Sequence, residues 1–269
     1  MKRILIGLAF AATTTGCAIS TQQEVQMGTE YSQQINAQLP IIKDPEIVRY
    51  INVLGDSIAK LADDRSLDWQ FFVVNSAEVN AFAVPGGYVY VNRGLIERAQ
   101  KMDQLAGVLG HEIGHVVRRH SVKQMEQAQG ANIGVTLACV LTAVCGNPAT
   151  EAAINVGGTA LFAKFSRDDE AQADEEGVKN VVRAGIDPRG IPEMFQILLS
   201  ERERSPGTVD SWFATHPLEE SRIRATEAQI ATINPAILNG LTKDSQSFQA
   251  FKQRVRGLPA APPPTRASR

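Results

Sequence analysis

Residues 111–115 read HEIGH, two histidines four residues apart with a glutamate directly after the first. Residues four apart lie on one face of an α-helix, so a helix would let His111 and His115 bind one metal ion. Glu112 can then reach a water on that ion, which is the arrangement of H-E-x-x-H zinc hydrolases. The alternative is an ordinary helix whose histidines are satisfied by hydrogen bonds. Apolar residues in and around the motif give the helix apolar faces and predict that it is buried, namely Leu105, Val108, Leu109, Ile113 and Val116.

A catalytic zinc site needs a third protein ligand and an open position. Glu170 and Asp174 are four residues apart, and the small Ala171 and Ala173 between them would let another helix approach. Glu170 can bind the metal while Asp174 binds the outer ring nitrogen of a ligand histidine. A solvated acidic helix face explains the same spacing equally well. His216, in a predicted loop, is a further candidate ligand.

One continuous helix from about Asp103 to Met125 is predicted around the motif. His120 is nine residues after His111, which places it on the opposite side of such a helix. We therefore expect His120 to be a surface or capping residue that does not contact the metal.

Most other segments are predicted to be helical. Amphipathic helices are expected at 24–39 and 44–62, the second with Asp44 as N-cap and Pro45 in its first turn. Short segments rich in aromatic and β-branched residues at 69–75 and 87–92 predict two strands, with a turn at Pro85-Gly86-Gly87 between them. The helix that carries Glu170 is expected to end at Gly185. The predicted fold class is α+β, mainly helical with a small β-sheet.

The N-terminus predicts export from the cytoplasm. Lys2 and Arg3 precede an apolar segment at 4–12 that is too short to span a membrane. Cys17 follows Gly16, as the lipid-modified cysteine does in bacterial lipoprotein signals, although Thr14 stands where leucine is usual. We expect residues 1–17 to be a signal with Cys17 as the first mature residue, in the periplasm on the outer membrane. A plain cleaved secretion signal is the alternative.

Export allows a disulfide between the remaining cysteines, Cys139 and Cys145. On one straight helix their side chains would point apart, so a bond requires a bend between them. Two buried thiols are the alternative. Both lie in an apolar segment, 131–163, that contains one charged residue and predicts a helical hairpin. This hairpin either packs in the core or forms a lid or a surface for membrane or unfolded substrate.

Composition excludes few functions. The net charge of −2 argues against a nucleic-acid-binding protein, which should carry a basic face. The last residues are rich in proline and have no apolar pattern, so we expect a disordered tail at 256–269 after a single domain at 20–255.

Four segments, in order, resemble the zinc metallopeptidase family that includes HtpX and the CAAX prenyl endopeptidases. They are NAFAVPGGYVYVNRGLI, LAGVLGHEIGHVVRRHS, FSRDDEAQADEEGVKNVVRAGIDP and THPLEESRI, and the resemblance extends from about Glu24 to Ile230. The exported form resembles the lipoprotein subgroup of LoiP and BepA, which act in outer-membrane quality control. The resemblance implies a zincin-like (gluzincin) domain. The chain lacks the long membrane spans that HtpX has.

The resemblance also implies roles for individual residues. His111, His115 and Glu170 would bind one zinc ion, and Glu112 would be the catalytic base. Asp174 would be either a proton donor or the partner of a ligand histidine. His216 and Arg222 would lie near the metal and stabilise the oxyanion, or His216 would cap the metal and hold the enzyme inactive.

Substrates are expected to be unfolded or misassembled envelope proteins, bound as an added β-strand. The edge that receives them would be the strand at Tyr88–Val91 or the extended segment at Asn80–Val84, of which Asn80, Ala81, Phe82 and Ala83 are the candidate contacts. The predicted function is a zinc endopeptidase tethered to the membrane by lipid, with outer-membrane assembly machinery as a partner. The rivals are a chaperone or assembly lipoprotein with a capped or structural zinc site and, more weakly, a metal-free structural domain.

Overall fold

The computed structural model describes residues 18–130, 164–205 and 207–260. Cys17, Cys139, Cys145, the expected hairpin at 131–163 and residues 261–269 of the expected tail lie outside these ranges. Among the described residues, no helix has both the length and the apolar character needed to cross a membrane.

The predicted fold class is confirmed, because helices surround one small sheet. Before the sheet come α1 (Thr21–Gln38) and α2 (Pro45–Ala62), and after it α3 (Arg93–Arg98), α4 (Met102–Val117) and α5 (His120–Gly130). The later helices are α6 (Arg167–Arg183), α7 (Gly190–Arg204), α8 (Asp210–Thr215), α9 (Glu220–Ala231), α10 (Pro235–Leu238) and α11 (Gln246–Arg256).

Local sequence fixes several helix ends. The Asp44 side chain accepts from two backbone amides of α2, with Pro45 in the first turn, as predicted. Ser166 caps α6 in a reciprocal pair of hydrogen bonds with Asp169. Gly185, just after α6, has φ +76°, the left-handed conformation predicted for the glycine that ends this helix. Capping therefore orients α6, the helix of the expected third ligand.

The sheet has the strand order β1 (Gln70–Val74), β3 (Tyr88–Asn92), β2 (Ala81–Val84). Strand β1 is parallel to β3, and β2 is antiparallel to it. The predicted edge at Tyr88–Val91 is therefore wrong, because β3 is the central strand. Strand β2, in the segment predicted only as extended, is the edge strand that faces α4.

Helices α4 and α6 approach closely because small residues line their contact. A Cβ atom on Gly114 would lie 2.8 Å from the carbonyl oxygen of Ala173, closer than real side chains allow. Gly110 likewise faces Gly177 across the contact. Ala173 is buried there as predicted, whereas Ala171 is exposed and does not contribute. This approach brings the histidines of α4 against the carboxylates of α6.

The single long helix predicted around HEIGH is wrong. Helix α4 ends at Val117, and Arg119 adopts φ +58° before α5 begins. This left-handed conformation costs roughly 1–2 kcal/mol for a residue with a side chain. Buried Glu24 of α1 stabilises the break, since its carboxylate lies 2.8 Å from Nε of Arg119. The break redirects His120 toward the protein interior, where it is 1% exposed.

A C-terminal segment holds the start of α4. The backbone N–H of Asp103 donates to the Lys243 carbonyl at 2.9 Å, and that of Met102 donates to the Asp244 carboxylate at 3.1 Å. The Asp103 side chain is 1% exposed, and neither carboxylate oxygen has a hydrogen-bond partner among the described residues. Burial raises the pKa of Asp103 to about 6.

We expect Asp103→Asn to stabilise the protein at pH 8 and not at pH 4. A carboxyl group whose folded pKa lies above its unfolded value contributes stability below the unfolded pKa, and this is lost as pH rises through the folded pKa. Removing the charge should therefore raise the free energy of unfolding at pH 8 by about 1–3 kcal/mol. Urea unfolding at both pH values measures this effect.

Asp187→Asn is the matched control for this prediction. Asp187 is also buried, but its ion pair with Arg189 outweighs burial and lowers its pKa. The Asp187 carboxylate therefore contributes to the stability of the fold above its unfolded pKa, and this contribution is lost as pH falls. Asp187→Asn should destabilise the protein at pH 8. A loss of stability at pH 8 in Asp103→Asn as well would contradict the account of Asp103.

Candidate metal centre

Four elements carry the candidate site. Helix α4 provides His111, Glu112 and His115, α6 provides Glu170 and Asp174, His216 follows α8, and Arg222 lies on α9. Six of these residues are buried, and the seventh, Arg222, is partly buried with a side chain 10% exposed. Burial in one cluster strengthens every electrostatic interaction among them.

Four side chains direct potential ligand atoms at one point, namely His111, His115, Glu170 and His216, with the atoms all within 4.8 Å of one another. His111 Nε2 lies 3.1 Å from His115 Nε2 and 3.3 Å from His216 Nδ1. Glu170 Oε1 lies 3.0 Å from His216 Nδ1 and 3.4 Å from His115 Nε2. His216 is thus the fourth member of the group.

These separations fit a tetrahedral metal ion. Ligands 2.0–2.1 Å from a tetrahedral zinc ion would lie about 3.3 Å apart, close to the distances between these atoms. His111 directs Nδ1 to a carboxylate, so Nε2 presents a lone pair toward Nε2 of His115. Two such lone pairs at 3.1 Å repel unless a cation or a proton lies between them. The donor set therefore fits a divalent cation.

Glu112 lies beside these atoms with one oxygen unbound. Its Oε1 is 3.5 Å from Nε2 of His216 and has no hydrogen-bond partner among the described residues. Burial raises the pKa of Glu112, although the neighbouring histidines and a hydrogen bond from the Ala83 backbone oppose this. A carboxylate with raised proton affinity can take a proton from water and release it again.

Strand β2 lies directly against Glu112 through the hydrogen bond with the Ala83 backbone. Of the four predicted substrate contacts, Ala81, Phe82 and Ala83 are in β2, and Asn80 precedes it. The Asn80 carbonyl accepts from Asn92 on the β3 side at 2.9 Å. Because alternate residues of a strand face opposite sides, Ala83 directs its backbone N–H away from β3 and toward α4. This part of β2 therefore adjoins the candidate site.

Asp174 contacts the outer nitrogen of His111. Its Oδ1 is 2.9 Å from His111 Nδ1, so it accepts the ring proton there and leaves Nε2 free to bind a metal. Burial opposes the charge on Asp174, but His111 and Arg222 outweigh burial and lower its pKa. Asp174 therefore remains an anion that orients His111.

Arg222 faces the carboxylates and not the space beside Glu112. Its Nε and Nη2 donate to Asp174 at 2.8 and 2.7 Å, and Nη1 contacts Glu170 and the Pro217 carbonyl. The guanidinium also lies over the Phe195 ring, with 4.9 Å between its carbon and the ring centroid. These contacts occupy Arg222, so the geometry gives no support to the predicted oxyanion role.

His216 sits between the two glutamates. Burial opposes a charge on its ring, but Glu170 and Glu112 outweigh burial and raise its pKa when no metal is present. In contrast, burial lowers the pKa of His115, which keeps that ring neutral with its lone pair available. Glu170 remains ionised, because the surrounding histidines outweigh its burial and lower its pKa.

Three side chains around the ligands were not predicted from the sequence. His120 was expected at the surface, but its Nδ1 lies 3.0 Å from Nδ1 of His115, because the helix breaks at Arg119. Phe165 stacks on His115 with 3.9 Å between ring centroids, and Trp212 lies 4.7 Å from the His216 ring. Phe165 directly precedes the Ser166 cap, but nothing in the sequence marks the break that turns His120 inward.

Comparison with known proteins gives one family. The family model described as peptidase family M48 matches residues 45–230, which include α4, α6, α8 and most of α9. The predicted resemblance is therefore confirmed.

Curated relatives agree with this match. The chain is 32% identical over 253 residues to the beta-barrel assembly-enhancing protease of Escherichia coli K12, covering 91% of this chain and 51% of that protein. It is 23% identical to the metalloprotease LoiP of the same organism, over 82% of this chain and 94% of LoiP. A mitochondrial metalloendopeptidase of Schizosaccharomyces pombe, OMA1, is 29% identical over 178 residues. The chain spans about half the length of the beta-barrel assembly-enhancing proteases that it matches.

Proposed function

Because the chain belongs to peptidase family M48, we propose that it is a zinc-dependent endopeptidase of the bacterial envelope that cleaves unfolded or misassembled proteins. One observation supports this most strongly: three imidazoles and a carboxylate converge at tetrahedral spacing beside the unbound oxygen of Glu112. Three nitrogen ligands and one oxygen ligand suit zinc better than calcium or magnesium, which prefer oxygen.

Zinc held by His111, His115 and Glu170 would supply a Lewis acid that acidifies water and polarises a peptide carbonyl. Glu112 takes the proton from the attacking water and passes it to the leaving amine. Asp174 holds His111 in the tautomer that presents Nε2. Arg222 neutralises the paired carboxylates of Asp174 and Glu170 and keeps them in position.

Strand β2 supports the choice of substrate class. It is an edge strand, and Ala83 contacts Glu112, so a peptide paired to this edge would pass next to the base. Such pairing uses main-chain atoms, so it requires an extended substrate and gives loose sequence preference. The name of the E. coli relative, a beta-barrel assembly-enhancing protease, favours misassembled outer-membrane barrels within this class.

A comparison of folded and unfolded substrate tests the function. The purified mature chain is expected to cleave a urea-unfolded outer-membrane barrel protein and an unfolded casein, and to spare the same barrel after it has folded in detergent. Preference for the folded barrel, or cleavage at a single sequence in all substrates, would contradict recognition of extended main chain.

We place the protein in the periplasm, tethered to the outer membrane through a lipid on Cys17, with one zinc ion per chain. The basic and apolar N-terminal residues support export, and Gly16-Cys17 supports lipidation. Ala18 is not the aspartate that favours inner-membrane retention. Radioactive palmitate should label the wild type and not Cys17→Ala.

His216 would act as a fourth ligand that caps the metal in the resting enzyme. Its Nδ1 lies among the ligand atoms, at the position that water and substrate need. A cap favoured by about 1.4 kcal/mol would close the site in about nine of ten molecules, so His216→Ala should cleave roughly 10-fold faster. Steady-state cleavage of unfolded casein measures this. Slower cleavage would make His216 a participant in the reaction.

A further inference from the structure

A contact between two histidines lies behind the candidate metal centre. Nδ1 of His120 is 3.0 Å from Nδ1 of His115, and the rings meet nearly at right angles, at 77°. On the far side, Nε2 of His120 is 3.4 Å from Oε1 of Gln172 and 3.6 Å from Oδ1 of Asp169. His120 thus lies between a metal-binding ring and two side-chain oxygens of α6.

The ring hydrogens of His115 and His120 can be assigned from the hydrogen-bond partners of each ring. His115 Nε2 points to the other ligand atoms and must lack a proton to bind a cation, so Nδ1 carries the ring hydrogen. That hydrogen can be donated only to an unprotonated Nδ1 of His120. The His120 hydrogen then lies on Nε2, where the Gln172 oxygen accepts it and the Asp169 carboxylate lies 3.6 Å away. Every donor meets an acceptor, and both rings are neutral.

We infer that His120 is a positioning residue, which holds His115 in the tautomer and ring orientation that metal binding requires. The inference rests on the proposed metal site. Asp174 performs the corresponding task for His111, so each histidine of HEIGH has its own acceptor behind it. The two acceptors differ in charge, since Asp174 is an anion and His120 is neutral.

The fold holds His120 for this contact at an energetic cost. Helix α5 starts at His120 only because Arg119 takes its left-handed conformation, which Glu24 of α1 stabilises. Arg65 reinforces the break, because it pairs with Glu24 and donates to the Val116 carbonyl at the end of α4. Phe165 stacks on the ring of His115, so the His115 ring cannot turn freely. A straight helix would place His120 away from His115.

Zinc affinity of folded variants tests the inference. His120→Leu removes the acceptor at similar volume, and it is expected to weaken zinc binding about 10–100-fold in competition with a chelator. His120→Asn places a carbonyl oxygen near the position of Nδ1, so it should bind zinc nearly as tightly as wild type. Should leucine prevent folding, His120→Phe replaces it as the variant without an acceptor.

Met125→Ala is the matched control, because Met125 is buried on α5 and touches no metal-binding side chain in the described contacts. It should lower the melting temperature without changing zinc affinity. In zinc-loaded wild type, the Nδ1–H of His115 should also give a slowly exchanging NMR signal that His120→Leu lacks.

Three results would overturn the inference. His120→Leu could bind zinc as tightly as wild type, or His120→Asn and Met125→Ala could weaken binding as much as leucine does, which would reveal a merely structural role. Wild-type protein that binds no zinc would overturn the metal site together with the inference, whereas the first two results would overturn the inference alone.

Discussion

Replacing Glu112 with glutamine is expected to slow cleavage of unfolded casein about 10²–10⁴-fold while bound zinc stays at the wild-type level. Glutamine has the same shape and can still accept the hydrogen bond from the Ala83 backbone, but it cannot take a proton from water. It does not remove any of the four potential ligand atoms. The loss should therefore appear in kcat, measured together with zinc content.

Glu176→Gln is the control for this prediction. Glu176 is another buried glutamate, on α6, which pairs with Arg118 at 2.7 Å and has no atom in the ligand group. Its replacement should reduce stability slightly and leave cleavage near the wild-type rate. Equal loss of cleavage in both variants would mean that the Glu112 effect comes from damage to the fold.

Arg222→Met should lower the free energy of unfolding of the metal-free protein by about 3–5 kcal/mol, because it leaves two buried carboxylates without their cation. Asp174 and Glu170 both contact the Arg222 guanidinium, and their side chains are 7% and 0% exposed. Zinc would offset part of this repulsion, so the loss should be smaller in the zinc-loaded protein. Urea unfolding with and without zinc measures both values.

Arg118→Met provides the matched comparison. Arg118 also pairs with a buried glutamate, but its side chain is 39% exposed, and water screens such pairs to about 0–1 kcal/mol. If Arg222→Met reduced kcat strongly and left stability unchanged, Arg222 would act on the reacting carbonyl, as the family resemblance implied. That result would contradict the positioning role.

Sequence patterns predicted the parts of the fold that depend on local chemistry. Asp44-Pro45 and Gly185 mark helix ends through capping and backbone freedom, and each appears where expected. Short segments rich in aromatic and β-branched residues located β1 and β3 to within a residue. These features need no distant partner, so a short stretch of sequence contains the information.

The features that depend on distant partners were missed or left open. The break at Arg119 is stabilised by Glu24, 95 residues away, and no glycine or proline announces it. His120 was therefore placed on the wrong side. Spacing alone could not separate Glu170 and Asp174 from a solvated acidic face, and the family resemblance supplied that choice. For Arg222, the resemblance correctly implied a position near the metal, but it did not predict the contacts with Asp174 and Glu170.

Restoration of activity by zinc tests the central claim most directly. The metal-stripped mature chain should not cleave unfolded casein, and one equivalent of zinc should restore cleavage in wild type but not in Glu112→Gln. Cleavage that survives complete metal removal would contradict the account. So would one bound zinc without cleavage in wild type and in His216→Ala, a result that would favour a chaperone with a structural metal.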